Sequence, residues 1–246
     1  MFKYSVYNAE MNLDELIILA DRLKTCYIET GNILSVGDDF ITWNCLEDIR
    51  SKIIENQKSI LLMDTSMPFY DLEYHKEFLQ RTTLLGVKYI RPVINDFNPA
   101  ENPDLVSKLI DLCKISKTYG AKVLFENKAD NAKLDVFFEE MYKTCSDEKP
   151  QFIFNPLEHV KNKRHPFFHI FYTSRLKNDI VILRINDGLF LNGEPMLPGE
   201  GNAEIKEMAS ILLCRSFDGW FSIGPYFGNS DLKLILSSFK NLLKEM

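Results

Sequence analysis

The feature that most constrains the fold is a regular alternation between short apolar runs and longer amphipathic stretches along the 246 residues. The short runs have the length of buried strands, and the stretches between them have the spacing of amphipathic helices. Eight such runs occur, at residues 2–7, 26–31, 59–64, 87–92, 123–126, 152–155, 181–184 and 220–223. Strands that alternate with helices form a parallel sheet, because each return connection passes through a helix.

Eight β/α units predict a single α/β domain over residues 1–246, folded as a (β/α)8 TIM barrel. A doubly wound open sheet is the structural alternative, since it uses the same alternation. The count of eight and the polar residues at the strand ends favour the barrel. The predicted helices cover residues 13–23, 46–55, 74–85, 103–119, 132–145, 166–176, 203–215 and 231–244. Gly86 and Gly120 follow two of these helices, where a residue that tolerates positive φ is expected.

Polar or turn residues recur where the predicted strands end. In a closed barrel, the carboxyl ends of the strands and the loops after them form the face that carries active sites. The residues at or just after these ends are Glu29, Asp64, Arg91, Glu126, Asn155, Arg184, Asp187 and Gly224. We take them as the candidates for a functional site.

The second half of the chain carries a resemblance to a known family. Residues 120–127 read Gly-Ala-Lys-Val-Leu-Phe-Glu-Asn, and residues 183–187 are similar to a Val-His-Leu-Lys-Asp element. Residues 197–201 read Leu-Pro-Gly-Glu-Gly, and residues 223–226 resemble an Ile-Glu-Pro-Tyr ending. These segments resemble the xylose-isomerase-like barrels of the sugar phosphate isomerase/epimerase family. The resemblance covers most of the chain and implies that family's fold.

The resemblance also implies where a metal site would be. In the family, Glu, Asp, His and Glu at the last four strand ends surround a divalent cation such as Mn, Mg, Co or Zn. The corresponding residues here are Glu126, Asn155, Arg184 and Gly224, so three of the four are substituted. A guanidinium group stays protonated and has no lone pair for a metal. We therefore expect a degenerate metal site and no cofactor.

We predict that Arg184 takes part of the metal's place and pairs with Glu126. Glu126, Arg184 and Asp187 are the predicted catalytic residues, with Glu126 moving a proton and Arg184 stabilising an enediolate-like charge. The predicted substrate-binding residues are Glu29, Asp64, Arg91, Asn155, His159, Gly199 and Gly201. A pocket filled by its own ion pair, with no ligand, is the alternative.

Two of these assignments have a structural alternative. Glu158 and His159 follow Asn155 with a spacing one residue longer than the family's Asp-x-x-His pattern, so His159 is either a pocket residue or a loop histidine in solvent. Gly199 and Gly201 allow backbone amides to approach an anion near a helix N-terminus, but a plain turn capped by Asn202 also explains the segment.

The functional prediction is a sugar isomerase or epimerase that binds a small polyhydroxylated or anionic ligand, such as a sugar or sugar phosphate, without the usual metal. A non-catalytic pseudoenzyme or binding protein on the same barrel is the alternative. A DNA-repair function like that of endonuclease IV is disfavoured by a net charge of −6 and a pI near 5.4, since nucleic-acid binding needs a basic face.

Composition bounds the remaining properties. The five cysteines are scattered and include no C-x-x-C pair, which favours free thiols and a cytoplasmic location. No apolar stretch approaches the length of a membrane span, and the first residues lack the features of a signal peptide. We expect no nucleic-acid or membrane partner, whereas an oligomer is compatible with the sequence.

Overall fold

The structure is a computed structural model that describes residues 2–36, 39–94, 102–127, 149–172, 175–224 and 231–246, without the side chains of residues 169 and 170. The helix expected at residues 132–145 lies outside the described residues. The described strands are β1 (Lys3–Asn8), β2 (Tyr27–Thr30), β3 (Ser35–Val36), β4 (Asp39–Phe40), β5 (Ser59–Pro68), β6 (Tyr89–Val93), β7 (Lys122–Glu126), β8 (Gln151–Phe154), β9 (Ile180–Arg184), β10 (Asp187–Gly188), β11 (Pro195–Met196) and β12 (Trp220–Ile223).

Eight of these strands form a closed barrel in the order β1-β12-β9-β8-β7-β6-β5-β2. The strand pairs for which a register is described are parallel within the barrel. The prediction of a (β/α)8 TIM barrel is therefore confirmed, and the open sheet is excluded. Two short antiparallel hairpins, β3-β4 and β10-β11, lie outside the barrel order and were not predicted.

The α-helices of the described residues are α1 (Leu13–Leu23), α2 (Trp43–Glu55), α3 (Leu72–Leu85), α4 (Pro103–Thr118), α5 (Pro156–Lys161), α6 (Ile205–Cys214) and α7 (Leu232–Lys244). Helix α1 begins with a capping box in which Asn12 and Glu15 bond each other's backbone, as its sequence favours. Gly86 ends α3 with a φ of 66°, and Gly120 follows α4 with a φ of 74°. The predicted glycine positions are thus confirmed.

The segment expected as a helix over residues 166–176 is different in the structure. It forms a π-helix at Phe167–Phe171 and a separate 3-10 turn at Leu176–Asn178. The Lys177 ammonium donates to the carbonyl oxygens of Phe171 and Tyr172, at 3.4 and 2.7 Å. These bonds satisfy two carbonyl groups at the end of the π-helix, which a longer helix would have bonded internally.

The chain folds into two compact units. The amino-terminal unit comprises Ser5–Phe125 and Glu140–Gln151, and the carboxy-terminal unit comprises Met1–Tyr4, Glu126–Glu139 and Phe152–Met246. The extent of one domain over residues 1–246 stays a prediction. No helix within the described ranges has the length and apolar character needed to cross a membrane.

Strand register places polar residues beside one another within each unit. In the amino-terminal unit, Asp64 of β5 is in register with Arg91 of β6. In the carboxy-terminal unit, Arg184 of β9 is in register with Ser222 of β12. Adjacent parallel strands lie about 4.8 Å apart, so side chains in register on the same face can bond directly.

Candidate functional site

The centre of the candidate site is an ion pair between Glu126 and Arg184. Arg184 Nε donates to Glu126 Oε1 at 3.1 Å, and Nη2 donates to Oε2 at 2.9 Å. The side chains are 8% and 1% exposed, respectively. This bidentate geometry is the strong form of an Arg–carboxylate contact, and the pairing predicted from sequence is present.

Neighbouring polar groups hold this ion pair on two sides. Arg184 Nη1 donates to the hydroxyl of buried Ser222 on the adjacent strand. Asn155 Nδ2 donates to Glu126 Oε1 at 3.0 Å. Each carboxylate oxygen of Glu126 therefore accepts at least one bond from the protein.

The position of Asn155 is fixed through its backbone by Asn127. The Asn127 side chain donates to the Asn155 carbonyl at 2.7 Å and accepts from the Asn155 amide at 2.7 Å. This pair of hydrogen bonds links the residue after β7 to the residue after β8. The side chain of Asn155 is thus available to the ion pair while its backbone stays anchored.

One atom of Asn155 is not satisfied. Its Oδ1 is buried and lacks a hydrogen-bond partner among the described residues, and the residue as a whole is only 8% exposed. Because Nδ2 donates to a carboxylate, the amide orientation is determined, and Oδ1 must be an acceptor. A buried acceptor of this kind normally has a partner, so it indicates a place for a donor from a ligand or a water molecule.

Asp187 is bonded to backbone amides through both of its carboxylate oxygens. Its Oδ1 accepts from the amides of Gly188 and Ala203 at 2.7 and 2.8 Å, and its Oδ2 accepts from those of Gly199 and Gly201 at 2.9 and 3.1 Å. Burial raises the pKa of this carboxyl, and the four amide bonds oppose that rise. The geometry makes Asp187 the centre around which the glycine loop folds.

The amides of Gly199 and Gly201 are therefore directed at Asp187. A Cβ at Gly201 would lie 2.3 Å from Asp187 Oδ1, so the close approach requires glycine. Asn202 does not cap the next helix, because the N-cap of α6 is Glu204. Asn202 instead accepts from the Phe190 amide at 2.9 Å within the same loop.

His159 lies in α5 and is buried, so the alternative of a loop histidine in solvent is wrong. Its ring stacks on Phe154 at a centroid distance of 5.3 Å, and its Nε2 has no described hydrogen-bond partner. Phe154 and Asn155 are consecutive, so their side chains leave the extended backbone in opposite directions. Burial, followed by the nearby Arg164 charge, lowers the pKa of His159 to about 4, and the ring is neutral at pH 7.

A second Arg–carboxylate cluster lies in the amino-terminal unit. Arg91 Nε and Nη2 donate to the two oxygens of Asp64, each at 2.7 Å. The Tyr7 hydroxyl accepts from Arg91 Nη2 at 2.6 Å and donates to Asp64 Oδ2 at 3.3 Å. In the same unit, fully buried Glu29 accepts from the Ser5 hydroxyl at 2.6 Å. Both predicted acidic residues are thus bonded to protein groups.

Comparison with known proteins bears on the fold. The sequence matches no known protein-family profile and no curated protein. Among solved structures, a xylose isomerase domain protein from Planctomyces limnophilus superposes with a TM-score of 0.71 at 14% identity, over 99% of this chain and 96% of that chain. The chain has the xylose isomerase-like TIM-barrel fold.

Two further barrels of this fold are similar over nearly their whole length. D-psicose 3-epimerase with D-tagatose, from Clostridium cellulolyticum H10, has a TM-score of 0.68 at 12% identity, with 99% of this chain and 98% of that chain covered. The IOLI protein with a binding zinc atom has a TM-score of 0.72 at 15% identity, with 98% and 97% covered. At these identities the likeness shows the fold.

The charge around Glu126 bears on whether this carboxylate could hold a divalent cation. Arg184 places a permanent positive charge against both oxygens of Glu126. Any cation at that carboxylate would displace the guanidinium or lie against it, and like charges about 4 Å apart repel by roughly 4 kcal/mol at an effective dielectric near 20. Within the described parts of the chain, no group of three or more His, Cys, Asp or Glu side chains is arranged to hold a metal.

Several site residues were missed from sequence. Ser222, Asn127, Tyr7 and Ser5 each bond a predicted residue. Ser222 and Tyr7 lie on barrel strands, in register with Arg184 and Glu29, and this register becomes visible only when neighbouring strands are aligned. A comparison of polar residues across neighbouring predicted strands is the signal that would have indicated them.

Proposed function

We propose that this xylose isomerase-like barrel binds a small polyhydroxylated or anionic molecule beside the Glu126–Arg184 pair, without a divalent metal. The observation that carries the proposal is the buried Asn155 Oδ1, an acceptor with no partner among the described residues, next to a carboxylate and a guanidinium. An unsatisfied buried amide costs about 1–3 kcal/mol. A ligand hydroxyl that donates to it recovers that free energy.

The metal-free part of the proposal follows from charge. In sugar isomerases that use a metal, the cation polarises a carbonyl group and stabilises the enediolate oxygen. Arg184 supplies a fixed positive charge in the same surroundings, already neutralised in the resting state by Glu126. Protein-held donors of this kind can stabilise a developing oxyanion.

The chemistry proposed for an isomerase or epimerase is proton transfer next to a carbonyl group. Glu126 takes the proton from carbon, and the negative charge that develops on oxygen faces Arg184. Asp187 is assigned a positioning role, because both its oxygens are bonded to the amides of the glycine loop.

A non-catalytic binding protein is the second candidate function. The observation that favours it is that each oxygen of Glu126 already accepts from Arg184, and Oε1 also accepts from Asn155. Proton uptake by Glu126 would remove the charge that neutralises buried Arg184. Catalysis therefore requires a rearrangement on substrate binding, whereas recognition does not.

Metal content and turnover test the proposal together. Elemental analysis of the purified protein is expected to show Mn, Co and Zn far below one equivalent, before and after incubation with each ion. Stoichiometric metal that is lost in Glu126→Gln would contradict the metal-free site. Aldose–ketose and epimerase assays with chelator present then separate the candidates, since turnover that is lost in Glu126→Gln while circular dichroism shows a folded variant supports the enzyme.

The setting proposed for this function is cytoplasmic, with a small molecule as the partner. The scattered cysteines support a reducing compartment. Three of them, Cys26, Cys45 and Cys214, are exposed free thiols. The net charge of −6 disfavours nucleic acids as partners.

A further inference from the structure

We propose that the Glu126–Asn155 site selects an uncharged, hydroxyl-bearing ligand over the phosphorylated form of the same molecule. This inference rests on the proposed function and narrows its ligand class. Three features of the carboxy-terminal unit carry it: the compensated charge of Arg184, the occupied amides of the glycine loop, and the polarity of the unsatisfied buried groups.

Arg184 does not present a net positive charge to a ligand. It is 1% exposed, and its guanidinium is neutralised by a bidentate carboxylate. Nη1 is also bonded to Ser222. A phosphate beside this guanidinium would also lie beside the Glu126 carboxylate, and separating the ion pair would leave that carboxylate buried and uncompensated, which is strongly unfavourable.

The glycine loop does not offer an anion site either. Its amides are the groups that would bind a phosphate at the start of a helix, but those of Gly199, Gly201 and Ala203 donate to Asp187. The carboxylate acts as the loop's own anion. A phosphate brought to these amides would compete with a covalently attached and fully buried negative group.

The unsatisfied side-chain oxygens indicate the complementary chemistry. Asn155 Oδ1 and Asn186 Oδ1 are both buried, and neither has a partner among the described residues. Both atoms are acceptors, and both residues are 8% exposed. Acceptors require donors, and a hydroxyl group donates whereas a phosphate dianion cannot. These two oxygens are therefore suited to hydroxyl groups.

The test is a binding comparison on the intact protein. D-tagatose and D-fructose are titrated against their 6-phosphates by calorimetry, with saturation-transfer NMR for weak binders. We expect at least one uncharged ketohexose to bind and its phosphate ester to bind at least about tenfold more weakly, because the ester's added charge loses its hydration without a compensating group at Arg184 or in the glycine loop.

Two variants assign the selectivity to the site. Asn155→Ala removes the acceptor and is expected to weaken ketohexose binding by about tenfold, the effect of one buried hydrogen bond. Its backbone remains held by Asn127, and circular dichroism checks the fold. Asn241→Ala, at an exposed position on α7, is the matched control and should bind like the unmodified protein.

The outcomes separate this inference from the proposed function. A phosphate ester that binds as tightly as the free sugar, or more tightly, overturns the selectivity and leaves the binding function standing. Unchanged ketohexose affinity in Asn155→Ala overturns the assignment of the acceptor. Absence of binding by every sugar and sugar phosphate at millimolar concentration overturns the proposed function itself.

Discussion

The two units of the chain each contain an arginine bonded through two nitrogens to a carboxylate, yet the two pairs differ in their surroundings. The Arg184 and Glu126 side chains are 1% and 8% exposed, whereas those of Arg91 and Asp64 are 13% and 18% exposed. Donor–acceptor distances are similar, at 2.9 and 3.1 Å in the first pair and 2.7 Å in the second. The same bidentate contact therefore occurs once in a nearly inaccessible pair and once in a pair that is partly exposed to water.

The partners around the two pairs also differ. Arg184 and Glu126 are supported by Ser222 and Asn155. Arg91 and Asp64 share the hydroxyl of Tyr7, and the Arg91 guanidinium carbon lies 4.8 Å from the centre of the Tyr7 ring. Water can replace a lost partner in the second pair, but in the first a lost partner leaves a buried charge. The loss of stability on breaking each pair is therefore set by its burial and not by its hydrogen-bond geometry.

The largest expected loss of stability comes from neutralising the carboxylate of one ion pair at a time. Glu126→Gln is expected to lower the free energy of unfolding by about 3–5 kcal/mol, because Arg184 remains buried without its counter-ion. Asp64→Asn is expected to cost about 1–2 kcal/mol, since Arg91 is partly hydrated. Urea denaturation with unchanged m-values measures both.

The surface pair of Glu47 and Arg50, whose side chains are 54% and 47% exposed, provides the control. Glu47→Gln should change the stability by no more than about 0.5 kcal/mol. Equal losses in Glu126→Gln and Asp64→Asn would show that burial does not distinguish the two pairs. Arg184→Met combined with Glu126→Leu should recover much of the loss, because no unpaired charge is left.

The barrel and the Glu126–Arg184 pair were predictable for a physical reason. Buried parallel strands need continuous apolar runs, so the polar residue that ends each run is easy to locate. Glu126 and Arg184 end β7 and β9 as expected. Opposite charges at two such buried ends have few arrangements other than a pair. The two short hairpins gave no comparable signal, because two-residue strands carry no periodicity.

The role of Asp187 could not be predicted, because it depends on backbone amides rather than on side chains. Every residue except proline has an amide, so the sequence does not indicate which four converge on one carboxylate. The roles of His159 and Asn127 were hidden for a similar reason. His159 is placed by its contact with Phe154, and Asn127 bonds only backbone atoms of Asn155 in the described contacts.

Asp187 adds to the comparison a carboxylate whose charge is stabilised by backbone amides instead of by an arginine. Asp187→Asn is expected to destabilise the fold by about 2–3 kcal/mol, because an amide nitrogen would face backbone donors in place of an acceptor. Limited proteolysis should show cleavage in the loop near Gly199 before global unfolding. A variant as stable and protease-resistant as the original would show that the four amides do not need the charge. The exposed Asp231 cap of α7 supplies a control for loss of an ordinary carboxylate.

Removing the hydroxyl group that bonds each arginine is expected to lower the free energy of unfolding by a smaller amount. Ser222→Ala leaves Arg184 Nη1 without its buried acceptor and is expected to cost about 1–3 kcal/mol. Tyr7→Phe keeps the ring beside Arg91 and removes only the hydroxyl, so about 1 kcal/mol or less is expected. The difference between the two losses, measured by urea denaturation, reports burial directly. A larger loss of stability in Tyr7→Phe than in Ser222→Ala would contradict the prediction that the more buried ion pair is the more sensitive one.

The smallest change in stability at neutral pH is expected at His159, which is compared with His75, a buried histidine of the other unit. His75 has both ring nitrogens near partners, the Asp71 carbonyl at 2.6 Å and the Thr65 hydroxyl at 3.1 Å. His159 Nε2 has no described partner. His159→Phe should therefore change the stability at about pH 7 by less than about 1 kcal/mol, whereas His75→Phe should cost more, because it removes two hydrogen bonds made by a buried ring.

Acidification reveals the contribution of His159. Its folded-state pKa of about 4 lies below the ordinary value of 6.5. The unfolded chain therefore binds the proton first, and stability that is present above pH 6.5 is lost as the pH falls toward 4. Between about pH 7 and pH 5, this histidine accounts for a loss of about 2 kcal/mol, and His159→Phe should remove that part of the decline. An unchanged decline in His159→Phe would mean that its ring is hydrated or paired when protonated, and that burial in the carboxy-terminal unit is weaker around α5 than around Arg184.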